Sequence, residues 1–330
     1  MPVRDAAETL PAAVESILGQ TESDWELVAV DDGSTDGSTE FLRDSARRDP
    51  RIRLLAGPHR GVAGALNLGL DAARGRLIAR MDADDLCLPE RLARQRDYMD
   101  HHLEVGLVAC RVRFAGDGRR GAGYARHVEW TNGLHTHEAI ALARFVESPL
   151  AHPSVMFRRE VLERLGAYRE GDFPEDYELW LRWLEAGVRM EKLPETLLVW
   201  RDSPGRLSRR DPRYAPEAFH RVKAGYLARW LAQHNPHHPR IALWGAGRVT
   251  RRRARHLEKD GVDIATYIDI DPRKIGRVIA GRPVVNPAAL PAPGACFVVA
   301  AVASAGAREQ IERALAAAGY RAGRDYVLAA

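Results

Sequence analysis

Residues 76–92, Arg76-Leu77-Ile78-Ala79-Arg80-Met81-Asp82-Ala83-Asp84-Asp85-Leu86-Cys87-Leu88-Pro89-Glu90-Arg91-Leu92, decide how this chain is read. The apolar run Leu77-Ile78-Ala79 reads as the end of a buried strand. Asp82, Asp84 and Asp85 follow at once. Pro89 then suits the first position of a helix, with Glu90 in its first turn. The carboxylates therefore fall on a loop between the carboxyl end of a strand and the start of a helix, which is where open α/β sheets bind ligands. Three clustered carboxylates repel one another unless a cation joins them. A hard divalent ion such as Mg²⁺ or Mn²⁺, bridging to a substrate phosphate, is the usual partner for such oxygens. The plain alternative is a solvated acidic turn that caps the helix, because Asp-x-Asp alone is a short motif.

Outward from this stretch, strand and helix alternate. A helix spans about Ala6 to Gly19, and Trp25 to Val30 is a buried strand that runs into the acidic turn Asp31-Asp32-Gly33-Ser34. A helix from Thr39 to Arg48, a strand at Ile52–Leu55, the loop Gly57–Gly61 and a helix over Val62–Arg74 carrying Asn67 precede the opening strand. This alternation predicts a parallel sheet with crossover helices.

Four segments then occur in order: PVRD from Pro2, VAVDDGSTDGS around Asp32, GVAGALNLGL around Asn67, and the stretch quoted first. Together they resemble the nucleotide-binding half of a family 2 glycosyltransferase of the GT-A fold, over about the first two-thirds of the chain. The resemblance implies a nucleotide-sugar donor bound by Pro2, Val3, Asp32, Asn67, Arg80 and Asp82. It places Asp32 on the base, Asp82 near the ribose and Asp84, with Asp82, on a divalent metal (Mn²⁺ or Mg²⁺) at the diphosphate. Asp85 is expected to be structural, as a helix cap. Relatives carry an apolar first strand ahead of the PVRD-like loop. That comparison leads to the expectation that the native start lies upstream of Met1.

Beyond Asp100, Val105–Phe114 alternates as a half-buried strand does. Gly116–Gly123 is a Gly-rich turn, and a helix near Glu138–Phe145 leads to Pro149–Phe157, where His152 either touches substrate or is simply packed. In Phe173-Pro174-Glu175-Asp176-Tyr177, two acids open a helix whose Leu179, Trp183 and Leu184 face the core. Here the family resemblance implies that Asp176 is the catalytic base and that Glu175 supports it. Relatives place a His two residues after the Arg that matches Arg201; this chain has Asp202 and Ser203, so any phosphate contact from that loop falls to Arg201 or Arg206.

A helix from Pro212 to Gln233 and the linker His234–Pro239 lead to a second α/β unit. Its three histidines, His234, His237 and His238, suit a solvated hinge better than a metal site. After a strand at Ile241–Trp244, Gly245-Ala246-Gly247 turns into a helix, and strands follow at Thr266–Ile270 and Phe297–Val302. The unit also resembles the small Rossmann-like domain of sugar acyltransferases. Gly245 and Gly247 offer a phosphate site at the helix start. Thr250, however, stands where the dinucleotide fingerprint has its third glycine, so a docking module that has lost its ligand is the competing reading. The domains expected are a GT-A unit over 1–210, a helical linker over 211–239 and the Rossmann-like unit over 240–330.

A hydrophobic fraction of 45% against 28% charged suits a globular protein, and a net charge of +4 spread along 330 residues implies no nucleic-acid partner. Cys87, Cys110 and Cys296 form no metal-spaced pair or disulfide framework, which favours a reducing compartment. There is no signal-peptide pattern, and no apolar run nears the roughly 20 residues of a membrane span. The expectation is an inverting, metal-dependent transferase, UDP-sugar dependent, in surface-polysaccharide or glycoconjugate synthesis. It would be cytoplasmic, with room for peripheral contact at the inner membrane face, and would act on a glycan, lipid-linked or small-molecule acceptor. Two rivals are an NAD(P)-dependent sugar-nucleotide oxidoreductase built on Gly245–Asp271 and a non-catalytic sugar-nucleotide-binding protein. The first lacks a Tyr-Lys or Cys constellation, and the second leaves Asp176 without a purpose.

Overall fold

In a computed structural model the structure describes residues 1–116, 121–202, 206–304 and 306–330. Residues 117–120 of the Gly-rich turn expected at 116–123, and Ser203, lie outside these residues. The chain divides into two compact units: Met1–Ile140 with Pro149–Asp211, and Ala141–Ser148 with Pro212–Ala330.

The first unit opens with β1 (Pro2–Val3), α1 (Leu10–Leu18), β2 (Leu27–Asp31), α2 (Ser38–Arg48), β3 (Ile52–Ala56), α3 (Gly61–Ala72) and β4 (Leu77–Ala79). β1, β2 and β3 form a parallel sheet in that order, as the alternation predicts. β2 is buried along its whole length, and it reads as a continuous apolar run for that reason.

The remaining elements of this unit are β5 (Leu86–Cys87), α4 (Arg91–His101), β6 (Val105–Ala115), α5 (Ala122–Asn132), β7 (Met156–Arg158), α7 (Arg159–Leu165), α8 (Glu175–Glu185), β8 (Arg189–Arg201) and α9 (Leu207–Arg210); α6 (His137–Ala143) leaves it for the second unit. Strands β4-β7-β6-β8-β5 make a second sheet. Here the expectation of a purely parallel sheet fails. β6 and β8 run parallel, but β7 is antiparallel to both β4 and β6, and β5 is antiparallel to β8. β4 is also not the buried strand its composition suggests. It is an edge with β7 as its neighbour, and Ala79 is exposed. Conversely β6 is buried at every residue from Val105 to Cys110 and alternates only further on, because β7 and β8 flank that first half.

Helix α8 carries the deepest aromatic packing. Trp180 and Trp183 are wholly buried, their rings 5.9 Å apart and edge-on, and Phe157 of β7 meets Trp183 at 5.2 Å. Side chains of this size stabilise the fold by about 1.5–3 kcal/mol each. They fix the helix whose first turn holds Glu175 and Asp176.

In the second unit, α10 (Pro216–His234) buries Ala224, Tyr226, Leu227 and Leu231, so the expected linker is a packed part of the unit. Then come β9 (Arg240–Trp244), α11 (Arg248–Lys259), β10 (Asp263–Ile268), β11 (Val278–Ile279), β12 (Arg282–Val285), β13 (Val298–Ala300), α12 (Ala307–Ala317) and β14 (Tyr326–Leu328). The sheet order is β11-β12-β10-β9-β13-β14, parallel except for β11. The chain steps from β9 to one side and returns to pair β13 on the other, the Rossmann-like pattern. The buried Lys223 of α10 ties this unit together, donating to the carbonyls of Phe145 (2.8 Å), Val146 (3.1 Å) and Ala329 (2.7 Å). Burial pulls its pKa down to about 7.

Candidate active site

The loop between β4 and α4 is held from several directions by side chains that satisfy its backbone. Thr9 Oγ1 donates to Ala83 O at 3.0 Å, Ser16 Oγ accepts from Cys87 N at 3.0 Å, and Gln20 Nε2 donates to Leu88 O at 2.8 Å. Beneath it lies Arg91, 1% exposed, which donates to Arg80 O (2.8 Å), Val155 O (3.3 Å) and Gln95 Oε1 (3.0 Å). Buried backbone acceptors need such partners, and a loop of this kind has no strand ladder to supply them. Sequence reasoning missed Arg91 and Gln95. Their i, i+4 spacing on α4 was the available signal.

On this frame Asp82, Asp84 and Asp85 point oxygens that all lie within 4.8 Å of one another. The cluster is short of positive charge. Burial, and then Asp82, push the Asp84 pKa up; burial, Asp82 and Asp84 push Asp85 well above the carboxylate range. The cluster's counter-charges are Arg80, ion-paired with Asp82, and Arg206, 3.9 Å from Asp85 Oδ1. Arg80 is 7% exposed; its Nη1 makes the pair with Asp82, and its Nε has no hydrogen-bond partner among the described residues. Asp85 is fully buried and, contrary to the expectation of a helix cap, accepts from Arg201 N at 2.9 Å. It caps the end of β8 instead, because β5 pairs with β8 and brings the loop there. Arg201 also donates through Nε to Asp84 O (2.5 Å) and through Nη2 to Thr9 O (3.2 Å). Arg206 stacks its guanidinium 4.5 Å from the centre of the Trp200 ring, with its positive field on Asp84 and Asp85.

Asp176 lies in the first turn of α8 and accepts from Tyr177 N at 2.7 Å. Burial, and then the like charge of Glu175, raise its pKa to about 7, against a pull downward from Arg80. Arg80 thus pairs with Asp82 and also pulls the Asp176 pKa downward. His152, 8% exposed, joins its Nε2 to Tyr168 OH at 2.7 Å and is kept neutral by burial and by Arg80. It is a packed histidine. Tyr168, which nothing in the sequence singled out, is clamped from two sides. Asn67 bonds its backbone N–H and C=O at 3.0 and 2.9 Å, and Arg182 of α8 holds Gly166 O and Ala167 O at 3.1 and 2.6 Å. The Asn67 amide is spent on this clamp.

Other expected site residues also belong to the first unit. Asp32 is 5% exposed and accepts from His59 Nδ1 (2.6 Å), Arg60 N (2.6 Å) and Gly61 N (3.0 Å), so it orders the turn that starts α3. The Val3 side chain is in the core, its carbonyl accepting from Asp32 N at 2.8 Å, and Pro2 is partly exposed beside it.

The match to known proteins is specific. The description "Glycosyl transferase family 2" belongs to the family model that fits residues 1–166. The chain belongs to glycosyl transferase family 2. The amylovoran biosynthesis glycosyltransferase AmsE of Erwinia amylovora is 32% identical over 209 residues, 63% of this chain and 76% of that protein. The O-antigen biosynthesis glycosyltransferase WbnJ of Escherichia coli is 30% identical over 192 residues, 57% of this chain and 72% of that one. Among solved structures, residues 1–349 of S. aureus TarS, in complex with UDP-GlcNAc, superpose with a TM-score of 0.53 at 16% identity, covering 78% of this chain and 69% of that one. That likeness bears on the fold, which is GT-A. The transferase is accordingly an enzyme with a GT-A α/β architecture, as its motifs implied.

In the second unit of the transferase, Gly245 has φ 121°, and a Cβ there would meet Val302 Cγ2 at 2.9 Å; Gly247 has open space where a Cβ would go. Asp269 takes the Ala246 N–H at 2.9 Å and is held by Lys274 at 3.0 Å. The Asp269 carboxylate is thus engaged within the unit. His237 bonds Gly294 O at 2.8 Å while His234 stacks on Trp230, so these histidines work separately.

Proposed function

We propose that this transferase moves a sugar from a UDP-linked donor to an acceptor hydroxyl with inversion at the anomeric carbon, in surface-polysaccharide or glycoconjugate synthesis. The observation that carries this reading is a shared cation: Arg80 pairs with Asp82 and also lowers the pKa of Asp176. A leaving-group site and a base for the incoming hydroxyl need to flank one reacting carbon. AmsE and WbnJ are named for amylovoran and O-antigen biosynthesis, which supports the polysaccharide setting.

The three converging carboxylates fit a hard divalent cation. They are all oxygen donors and close together, and burial with their mutual repulsion raises the pKa values of Asp84 and Asp85, a penalty that a bound cation relieves. Asp84 and Asp82 would hold Mn²⁺ or Mg²⁺, which neutralises charge on the departing diphosphate when bound. The unpartnered Nε of Arg80 supplies a donor for the sugar nucleotide beside it. Asp32, Pro2 and Val3 form the base end of the donor site, and Asn67 acts through the Tyr168 clamp.

Asp176 accepts the acceptor's hydroxyl proton as the oxygen bonds to the anomeric carbon and the bond to the diphosphate breaks. Proton transfer is timed to the transition state, where the attacking oxygen becomes acidic. Glu175 keeps Asp176 basic through like-charge repulsion. The acceptor is a glycan or lipid-linked hydroxyl, and the setting is the cytoplasm. Calorimetric titration of UDP, GDP and dTDP with and without Mn²⁺ tests the donor site. UDP binding tightened by Mn²⁺ is expected; equal affinity with and without the ion for every nucleotide would falsify the assignment of Asp82 and Asp84.

A further inference from the structure

Charge is not shared evenly along the chain. Residues 212–330 hold 19 Lys and Arg against 9 Asp and Glu, a formal +10, while residues 1–211 carry −6. Much of the excess sits on α11. Its inner face buries Ala254 and Leu257, and its outer face exposes Arg248, Arg252, Arg255 and Lys259. These occur at i, i+4, i+7 and i+11, one stripe of a helix. Glu217 of α10 takes up Arg252 (2.8 Å) and Arg253 (3.1 Å). Arg248, Arg255 and Lys259 have no ion pair among the described residues.

Exposed apolar side chains occur on α11 itself and on segments tied to its two ends. Val249 is 51% exposed in the first turn of α11. Ile270, 68% exposed, follows Asp269, whose carboxylate bonds Ala246 N just ahead of that turn. Val278, 70% exposed, is on β11, whose partner β12 begins at Arg282, ion-paired to Glu258 of α11 at 2.7 Å. These are all the large hydrophobic residues that the second unit exposes among the described residues.

We infer that this face of the second unit seats on an anionic phospholipid surface, with Arg248, Arg255 and Lys259 on acidic headgroups and Val249, Ile270 and Val278 at the acyl boundary. A basic stripe gathers acidic lipid, and single apolar residues between cations suit shallow insertion. A second protein copy would need a contiguous, larger apolar patch. A nucleic acid would draw on aromatic side chains for stacking, and this face carries none. The inference is independent of the donor and the base proposed above, because none of these residues belongs to the first unit.

The test is co-sedimentation of the full chain with vesicles of phosphatidylcholine alone or mixed with phosphatidylglycerol. Binding to the mixed vesicles that weakens with added salt is expected. The triple variant Arg248→Gln, Arg255→Gln, Lys259→Gln should lower partitioning roughly a hundredfold, about fivefold per cation. Val249→Ser with Ile270→Ser should weaken the salt-resistant remainder. All these sites are exposed, so unchanged melting temperatures confirm intact folding. Equal partitioning to both vesicle types, or no partitioning, overturns the inference. So does binding to polyuridylic acid that survives Val249→Ser and Ile270→Ser, which marks a polyanion surface, and so does salt-sensitive self-association abolished by the triple variant.

Discussion

Lowering the pH from about 8 to about 5 should switch the transferase off along a line set by Asp176. With that carboxyl titrating at about 7, the basic form falls to roughly one molecule in a hundred at pH 5, and kcat/KM falls roughly tenfold per pH unit below 7. An unperturbed aspartate, titrating near 3.9, would leave the rate almost flat over this range. Two substitutions separate cause from coincidence. Glu175→Gln removes the like charge that helps raise the pKa, so the acid limb should move to lower pH. Asp176→Asn should cost about 10²–10⁴-fold in turnover with donor affinity kept. The assay is nucleotide-diphosphate release across the pH series, with nucleotide affinity measured at each pH. A flat profile from pH 5 to 8, or full turnover in Asp176→Asn, would refute the assignment.

Other outcomes follow from the same geometry. Asp84→Asn should remove the Mn²⁺ dependence of nucleotide affinity in calorimetry. Because Asp84 and Asp85 have raised pKa values, their contribution to folding is fully present at low pH and lost as pH rises through those values; Mn²⁺ should therefore raise the melting temperature more at pH 8 than at pH 5. Arg91→Ala strips donors from Arg80 O, Val155 O and Gln95 and should cost about 3 kcal/mol, roughly 6–12 °C in a melt. Gly245→Ala forces a positive φ and a close approach to Val302, and should cost about 1–3 kcal/mol, whereas Gly247→Ala should be nearly neutral by the same melt.

The residues around Asp82 were legible because three things coincide there: an apolar run that ends, three acids within four residues, and a proline that starts a helix. The parallel β1-β2-β3 sheet was legible for a similar reason, since strand and helix alternate without interruption. What the sequence hid is long-range. Arg80 is four residues from Asp84, but its reach to Asp176, almost a hundred residues on, depends on how α8 is packed by Trp180 and Trp183. Asp85 looked like a helix cap because Pro89 is near in sequence; its real partner, Arg201 N, comes from β8. β4 looked buried from Leu77 and Ile78, yet burial is set by neighbours, and an edge strand has fewer of them.

The segment Ala141–Ser148 gives the two units an unusual genealogy on paper. The chain leaves the first unit after Ile140, returns at Pro149 and leaves again after Asp211, so the units are joined by three passages. A gene cut at codon 211 would not yield a clean transferase half. It would leave Phe145 and Val146 without the ammonium of Lys223 that holds their carbonyls. Neither half is a cassette that recombination could lift out with one crossover. Because Lys223 holds main-chain carbonyls, side chains at 146 and 329 can diverge around it, whereas Phe145 is tied to α10 by its ring contact with Trp230.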